Sequence, residues 1–152
     1  MGIYPIALSQ QFLGEPTEIH AFGKLHHNQI DEETHTFMRY ASGARSTFVL
    51  SGRTTLPHWA GVSGTKAAIT FGTPFFTPTS ITIHEPGFNG KQTTWEDDLG
   101  MPEHLGLIHQ VHAFAQYVEA GLLESPLYTH QESIANIKTA LTIGAQIGTR
   151  FK

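Results

Sequence analysis

The sequence predicts an α+β fold: an open, mostly antiparallel β-sheet with helices packed on one face. Three observations lead there. Between Pro16 and His84, β-favouring stretches alternate with turn residues about every dozen positions, and no helix of useful length intervenes. After residue 103 the apolar residues shift to three- and four-residue spacing. Strands first and helices afterwards segregate the helices to one side of an antiparallel sheet.

Residues 4–13, YPIALSQQFL, precede the strands as a short helix, ended by Gly14 and Pro16. TEIHAFGKLHH follows as a strand. THTFMRYA alternates, with Phe37 on one face and Met38 and Tyr40 on the other. SGAR is a turn, and STFVLSGRTT continues as the next strand. WAGVSGTKAAITFG bends at Gly64 and then places Ala67, Ile69 and Phe71 on one face. SITIHE is another short strand after Pro74 and Pro78. Residues 85–103, EPGFNGKQTTWEDDLGMPE, read as one long loop of the kind that often carries function. Leu107, Ile108, Val111, Phe114, Ala115, Val118 and Leu122 then form a helical stripe. Thr129 with Glu132 is a capping box that opens a last helix carrying Ile134, Ile137, Leu141 and Ile147.

Composition excludes several classes of function. The 152 residues suffice for one domain with a real core, and 39% hydrophobic content is that of a globular chain. With no cysteine there is no disulfide, thiolate metal site or cysteine nucleophile. The net charge of −4 comes without a basic stripe, so no nucleic-acid partner is expected. No apolar run reaches the roughly 18 residues of a membrane helix, and the first residues lack a basic signal n-region. No membrane partner is expected, and a cytoplasmic location is the simplest reading.

Ten histidines are many for this length. His109 and His112 are three apart on the long helix, but the H-E-x-x-H arrangement that binds zinc is absent. His26 and His27 are consecutive, and on a strand they would point to opposite faces. No metal site is assigned. Neither G-x-S-x-G, a phosphate loop nor G-x-G-x-x-G occurs, so no nucleophile elbow and no dinucleotide fingerprint is present. Asp97-Asp98 and Asp31-Glu32-Glu33 read as solvated charge.

Four stretches together resemble the glucose–fructose oxidoreductase / inositol dehydrogenase family (Gfo/Idh/MocA). GIYPIALSQQFLGEPTEI resembles the segment after the nucleotide-binding half, where a D-x-G-x-[YH] pattern occurs; Gly2 and Tyr4 match its later positions, and its Asp would fall just before Met1. VSGTKAAITF resembles the family's G-T-x-G strand, with Ala67 or Ala68 near the usual Gly. GLLESPLYTHQESI resembles its G-x-x-x-S-P…E-S signature through Gly121, Ser125, Pro126, Glu132 and Ser133, and IGAQIGTRF resembles its closing helix. The SGTK and ESP stretches sit closest to the dihydrodiol dehydrogenase branch, which oxidises vicinal diols or sugars.

The resemblance implies that residues 1–152 are one substrate-side and oligomerisation domain, the C-terminal domain of a two-domain oxidoreductase whose N-terminal nucleotide-binding domain is missing from this chain. That other half would bind NAD or NADP and carry the catalytic Lys of an E-K-P motif, which does not occur here. No cofactor-binding residue is therefore assigned to this chain. Tyr4 is the catalytic candidate: oxidising a carbinol requires loss of its hydroxyl proton, and a Tyr, with a reference pKa near about 10, accepts it only beside a cation. Trp95 and His109 are the candidates for lining a sugar or diol substrate, His109 standing where the family often has the Tyr of a G-x-x-Y-E pattern. The apolar sheet residues Phe37, Phe48, Met38, Tyr40 and Val49 fall on both faces, and helices can cover only one, so a homo-oligomer through the sheet face is expected. Two other classes stay open: a stand-alone sheet-based binding or assembly module without cofactor, and a His-rich metal-binding protein.

Overall fold

The computed structural model describes residues 2–98 and 103–149. In chain order its elements are α1 (Ile3–Leu13), β1 (Pro16–Leu25), β2 (Asp31–Tyr40), β3 (Arg45–Ser51), β4 (Ala60–Ser63), β5 (Ala68–Phe71), β6 (Ser80–His84), β7 (Gln92–Glu96), a 3-10 turn (Glu103–Gly106), α2 (Leu107–Glu119) and α3 (His130–Ile147). The class is α+β as expected, and every strand pairing among the described residues is antiparallel. The strands form two sheets rather than one, in the orders β1-β2-β3 and β4-β5-β6-β7. The segment GRTTLPHW separates β3 from β4, and its proline interrupts a continuous ladder there. The chain correspondingly divides into two compact units, Met1–Leu56 with Glu124–Lys152, and Pro57–Leu123.

In the first unit, α3 packs on β1 and β2, and α1 packs on α3. Alternation along β2 decides what faces them: Thr34, Thr36, Met38 and Tyr40 are buried, while Phe37 lies on the opposite, open face. The apolar core is small, made of Ile6, Met38, Tyr40, Ala135 and Ile143. On α3 the expected apolar stripe is turned the other way. Ala135, Asn136, Thr139, Ile143 and Gly144 face inward, whereas Ile134, Ile137 and Leu141 are exposed. Both sets have helical spacing; the smaller side chains let α3 approach the sheet and α1 closely, and the phase follows from that.

Gln146 secures the same contact. β1 is an edge strand, and Gln146 donates Nε2–H to the Ile19 carbonyl at 2.8 Å while its Oε1 accepts the Ala21 N–H at 2.6 Å. The carboxamide pairs with the edge as a peptide group would. Gln146→Ala is expected to lower stability by about 1–2 kcal/mol, from two hydrogen bonds at roughly 0.5–1.5 kcal/mol each. Urea unfolding checks this: the midpoint should fall while the slope stays unchanged.

The capping box at the start of α3 forms as expected. The Glu132 N–H donates to Thr129 Oγ1 at 3.2 Å, and the Thr129 N–H donates to Glu132 Oε2 at 2.7 Å. The Thr129 backbone and hydroxyl bonds hold the Glu132 carboxyl below its ordinary range. A depressed folded value contributes stability above the unfolded pKa, and that contribution is lost as pH falls through the folded one. Thr129→Ala is therefore expected to cost about 1 kcal/mol at neutral pH. The difference from wild type should shrink on acidification below the ordinary Glu range, as urea titrations at both pH values would reveal.

The second unit is a four-stranded meander followed by α2. Register places Val62, Ile69, Phe71, Ile81, Ile83 and Trp95 on one face of the sheet. The opposite face carries Thr70, Thr82 and Thr94, with Thr70 bonded to His84 at 2.8 Å and Thr82 to Thr94 at 2.9 Å. The expected loop over residues 85–103 contains β7, which pairs with β6, so that reading is corrected; residues 99–102 lie outside the described residues. QTTWE is a strand sequence hidden between turn residues. Gly90 closes the connecting turn: a Cβ there would collide with the Glu85 carbonyl. α2 forms over the expected stretch, but none of its residues is buried.

Candidate functional site

The candidate catalytic residue, Tyr4, sits on the first turn of α1, and its side chain is 56% exposed. That turn is held from two sides. Gly2 packs against β3, where an added Cβ would lie 3.3 Å from Leu50 Cδ1. From α3, Asn136 reaches back with Nδ2, donating to the Ile3 carbonyl at 3.4 Å and to Tyr128 Oη at 2.8 Å. Asn136 is only 1% exposed, and its Oδ1 is buried with no hydrogen-bond partner. A second tie, Gln10 Nε2 to Thr139 Oγ1 at 3.1 Å, fixes the last part of α1 to the same face of α3. The phenol is thus presented outward from a helix whose backbone is anchored by buried polar groups.

Sequence reasoning missed Asn136. Its signal is a polar residue in the small-residue phase of α3, between Ala135 and Thr139, where a solvated asparagine has no reason to be. Beside it, Gln10, Gln11, Glu15, Tyr128, Gln131 and Glu132 line a cleft of about 150 Å³ between the end of α1 and the start of α3.

Trp95 and His109 belong to the other unit. Trp95 lies on β7, the sheet edge, opposite Ile81, and is 59% exposed. His109 lies in the first turn of α2 and is exposed.

The histidines are distributed in local pairings. His26 and His27 do not point to opposite faces, because β1 ends at Leu25; they sit in the β1–β2 turn with ring centroids 3.8 Å apart, and His26 Nδ1 lies 2.9 Å from Asn28 Oδ1. His20 bonds Glu18 and His35 bonds Glu33, each at 2.7 Å. Among the described residues, no group of three or more His, Asp or Glu gathers as metal ligands do. No helix among them is long and apolar enough to cross a membrane.

Holding a dinucleotide requires a strand, a Gly-rich turn and a helix whose first amides face the pyrophosphate. The described residues supply only antiparallel pairings, and the chain has no Gly-rich fingerprint, so these residues do not fit a nicotinamide nucleotide by themselves.

Comparison with known proteins agrees with this geometry. Residues 1–70 match the family model described as the GFO/IDH/MocA C-terminal domain. A trans-1,2-dihydrobenzene-1,2-diol dehydrogenase of Mus musculus is 24% identical over 135 residues, covering 88% of this chain and 40% of that protein. The chain thus spans about two fifths of the length of the curated relatives it matches. In solved structures, the fold recurs in UDP-N-acetylglucosamine 3-dehydrogenase from Acidithiobacillus ferrooxidans, with a TM-score of 0.76 at 13% identity, over 97% of this chain and 45% of the other. It recurs again in a 3-ketoreductase from Actinomadura kijaniata, solved with TDP-benzene and NADP, with a TM-score of 0.67 at 17% identity, over 97% and 44%. The first 70 residues thus resemble a GFO/IDH/MocA C-terminal domain, the sequence relatives are dihydrodiol dehydrogenases, and the fold is that found in these oxidoreductases.

Proposed function

We propose that this chain is the substrate-side and oligomerisation domain of an NAD(P)-dependent oxidoreductase that acts on a CH–OH group of a sugar or vicinal diol. The observation that carries the reading is Tyr4, outward-facing on a helical turn that Asn136 anchors, at the Tyr position of the family pattern. Its phenol oxygen would take the carbinol proton on oxidation and return it on reduction. Trp95 and His109 remain candidates for contacting substrate. A nucleotide-binding domain outside this chain would supply the cofactor, and the isolated chain is then inactive.

The reading is tested by joining the chain to a family nucleotide-binding domain and following NADH or NADPH production with vicinal diols and sugars. Turnover with these and not with simple primary alcohols is expected; no turnover with any of them overturns the proposal. The isolated chain is expected to leave NADH and NADPH unbound in calorimetry. Micromolar affinity at one site per chain would contradict the division of labour.

The open sheet face supports the oligomer part of the reading. Phe22 is 69% exposed there, and Phe37 and Val49 accompany it. Such a face is covered most economically by a second copy.

A further inference from the structure

The cleft between the end of α1 and the start of α3 is built from side chains that are only half engaged. Gln10 is tied by Nε2 to Thr139 Oγ1 at 3.1 Å, and its Oε1 has no donor among the described residues. Tyr128 Oη accepts from Asn136 Nδ2 at 2.8 Å, and its own O–H has no acceptor among them. Glu132 Oε2 accepts the Thr129 N–H at 2.7 Å and the Thr129 hydroxyl at 2.8 Å, and its Oε1 again has no donor among them. Each of the three is thus fixed by one polar atom and keeps a second one to offer. Groups held in place beforehand lose little freedom when they bind. At the rim, Gln11, Glu15 and Gln131 are exposed, and their side chains make no hydrogen bond or ion pair among the described residues.

We propose that this cleft binds one neutral, hydroxylated six-membered ring, a monosaccharide or a cyclic polyol. Size, charge and hydrogen-bond type lead to the same ligand. A protein cavity of about 150 Å³ holds a benzene ring. This cleft has about 150 Å³ as well, and its exposed rim leaves room for ring substituents. No Lys or Arg lines it and two carboxylates do, which disfavours an anion. An organic cation gains little there. The Glu132 carboxylate is already met by the Thr129 donors and the positive end of α3, and Glu15 is an exposed charge, whose pull on a solvated cation is small. What remains is a mixed set. Gln10 Oε1 and Glu132 Oε1 accept, Tyr128 O–H donates, and the Gln11 and Gln131 carboxamides do both. A hydroxyl also donates and accepts, so a ring bearing several of them satisfies this set where a pure donor or a pure acceptor does not. The buried Ala135 lines the cleft too and offers an apolar contact to the C–H groups of such a ring. Tyr4 does not line it, so binding here requires neither that phenol nor a cofactor.

The test uses the whole chain, isotope-labelled and titrated with myo-inositol, D-glucose and D-galactose under two-dimensional NMR. At least one of them is expected to bind saturably with a Kd of about 1–5 mM, the order that a dozen heavy atoms reach at ordinary ligand efficiency. The shifts should centre on the backbone amides of Gln11, Glu15, Gln131 and Glu132. Two variants keep the fold, because they alter exposed side chains that hold nothing in place; circular dichroism checks this. Gln11→Ala/Gln131→Ala should weaken binding of the same ring about tenfold, from the loss of two hydrogen-bonding carboxamides. Glu15→Gln should bind it within about threefold of wild type, because an exposed charge contributes little to a neutral ligand. Methylammonium is the control cation. If it binds more tightly than all three rings and loses that binding in Glu15→Gln, the cleft is a cation site and the proposal falls. It falls equally if none of the rings gives a saturable shift, if the shifts lie elsewhere on the chain, or if Gln11→Ala/Gln131→Ala binds like wild type.

Discussion

Tyr4→Phe, in the oxidoreductase proposed to contain this domain, is expected to lower turnover about 100-fold, the usual loss when one general acid–base group is removed. Affinity for NADH or NADPH should stay within about twofold of wild type, because nothing in this domain is assigned to hold the nucleotide. The expectation rests on placement. Tyr4 faces outward from the first turn of α1, so losing its hydroxyl leaves the buried face of that helix, with Ile6 at its centre, untouched. The fold should survive and the chemistry should not. Steady-state kinetics together with a cofactor titration decide the matter. Unaltered kcat would make Tyr4 a surface residue only, and a loss confined to KM would make it a substrate contact without a role in proton transfer. A pH profile adds a readout that packing cannot mimic: the wild type should lose a limb of its kcat–pH curve when the phenol is removed.

Much of the first unit could be read from one-dimensional signals because each depends on a few neighbouring residues. The Thr129–Glu132 capping box spans one turn and appears as expected. Gly14 and Pro16 end α1 through backbone conformation alone. The alternation in β2 sends Met38 and Tyr40 inward and Phe37 outward, as a period of two requires. What could not be read depended on which surfaces meet. α3 holds two helical stripes, and only the packing distance to β1 and α1 selects the one with Ala135, Thr139 and Gly144. β7 was concealed because its ladder partner, β6, lies across a turn that looked like the start of a long loop. Asn136 escaped for a similar reason: its partners, Ile3 and Tyr128, are distant in sequence or lie in an irregular segment, so no spacing rule connects them. Tyr4 was a candidate because the pattern that singles it out is local, whereas the residues that hold its helical turn, Asn136 above all, are joined to it by no local spacing.

That dependence leads to the second large effect. Asn136→Ala is expected to destabilise the chain by about 2–3 kcal/mol, from the loss of donor bonds at a fully buried position plus the cavity left by the side chain. Part of this is offset, since the same substitution removes the buried, unpartnered Oδ1. Asn136→Asp separates the two contributions. It fits the same volume but replaces the Nδ2 donor with an oxygen, and when ionised it places a carboxylate beside the Ile3 carbonyl and the Tyr128 hydroxyl. Burial disfavours the charged form, so the folded-state pKa of the new carboxyl must lie above its unfolded value. The sign follows: a raised folded value makes the protonated protein the more stable one, with the contribution complete below the unfolded pKa and lost as pH rises through the folded one. Asn136→Asp should therefore be worse than Asn136→Ala at neutral pH and should recover relative to it on acidification, because the protonated acid regains one O–H donor. Thermal or urea unfolding of both variants at neutral and mildly acidic pH makes the comparison. Equal stabilities at both pH values would mean that Asn136 only fills space. A crossing of the two curves would show that its amide hydrogens hold the turn from which Tyr4 is presented.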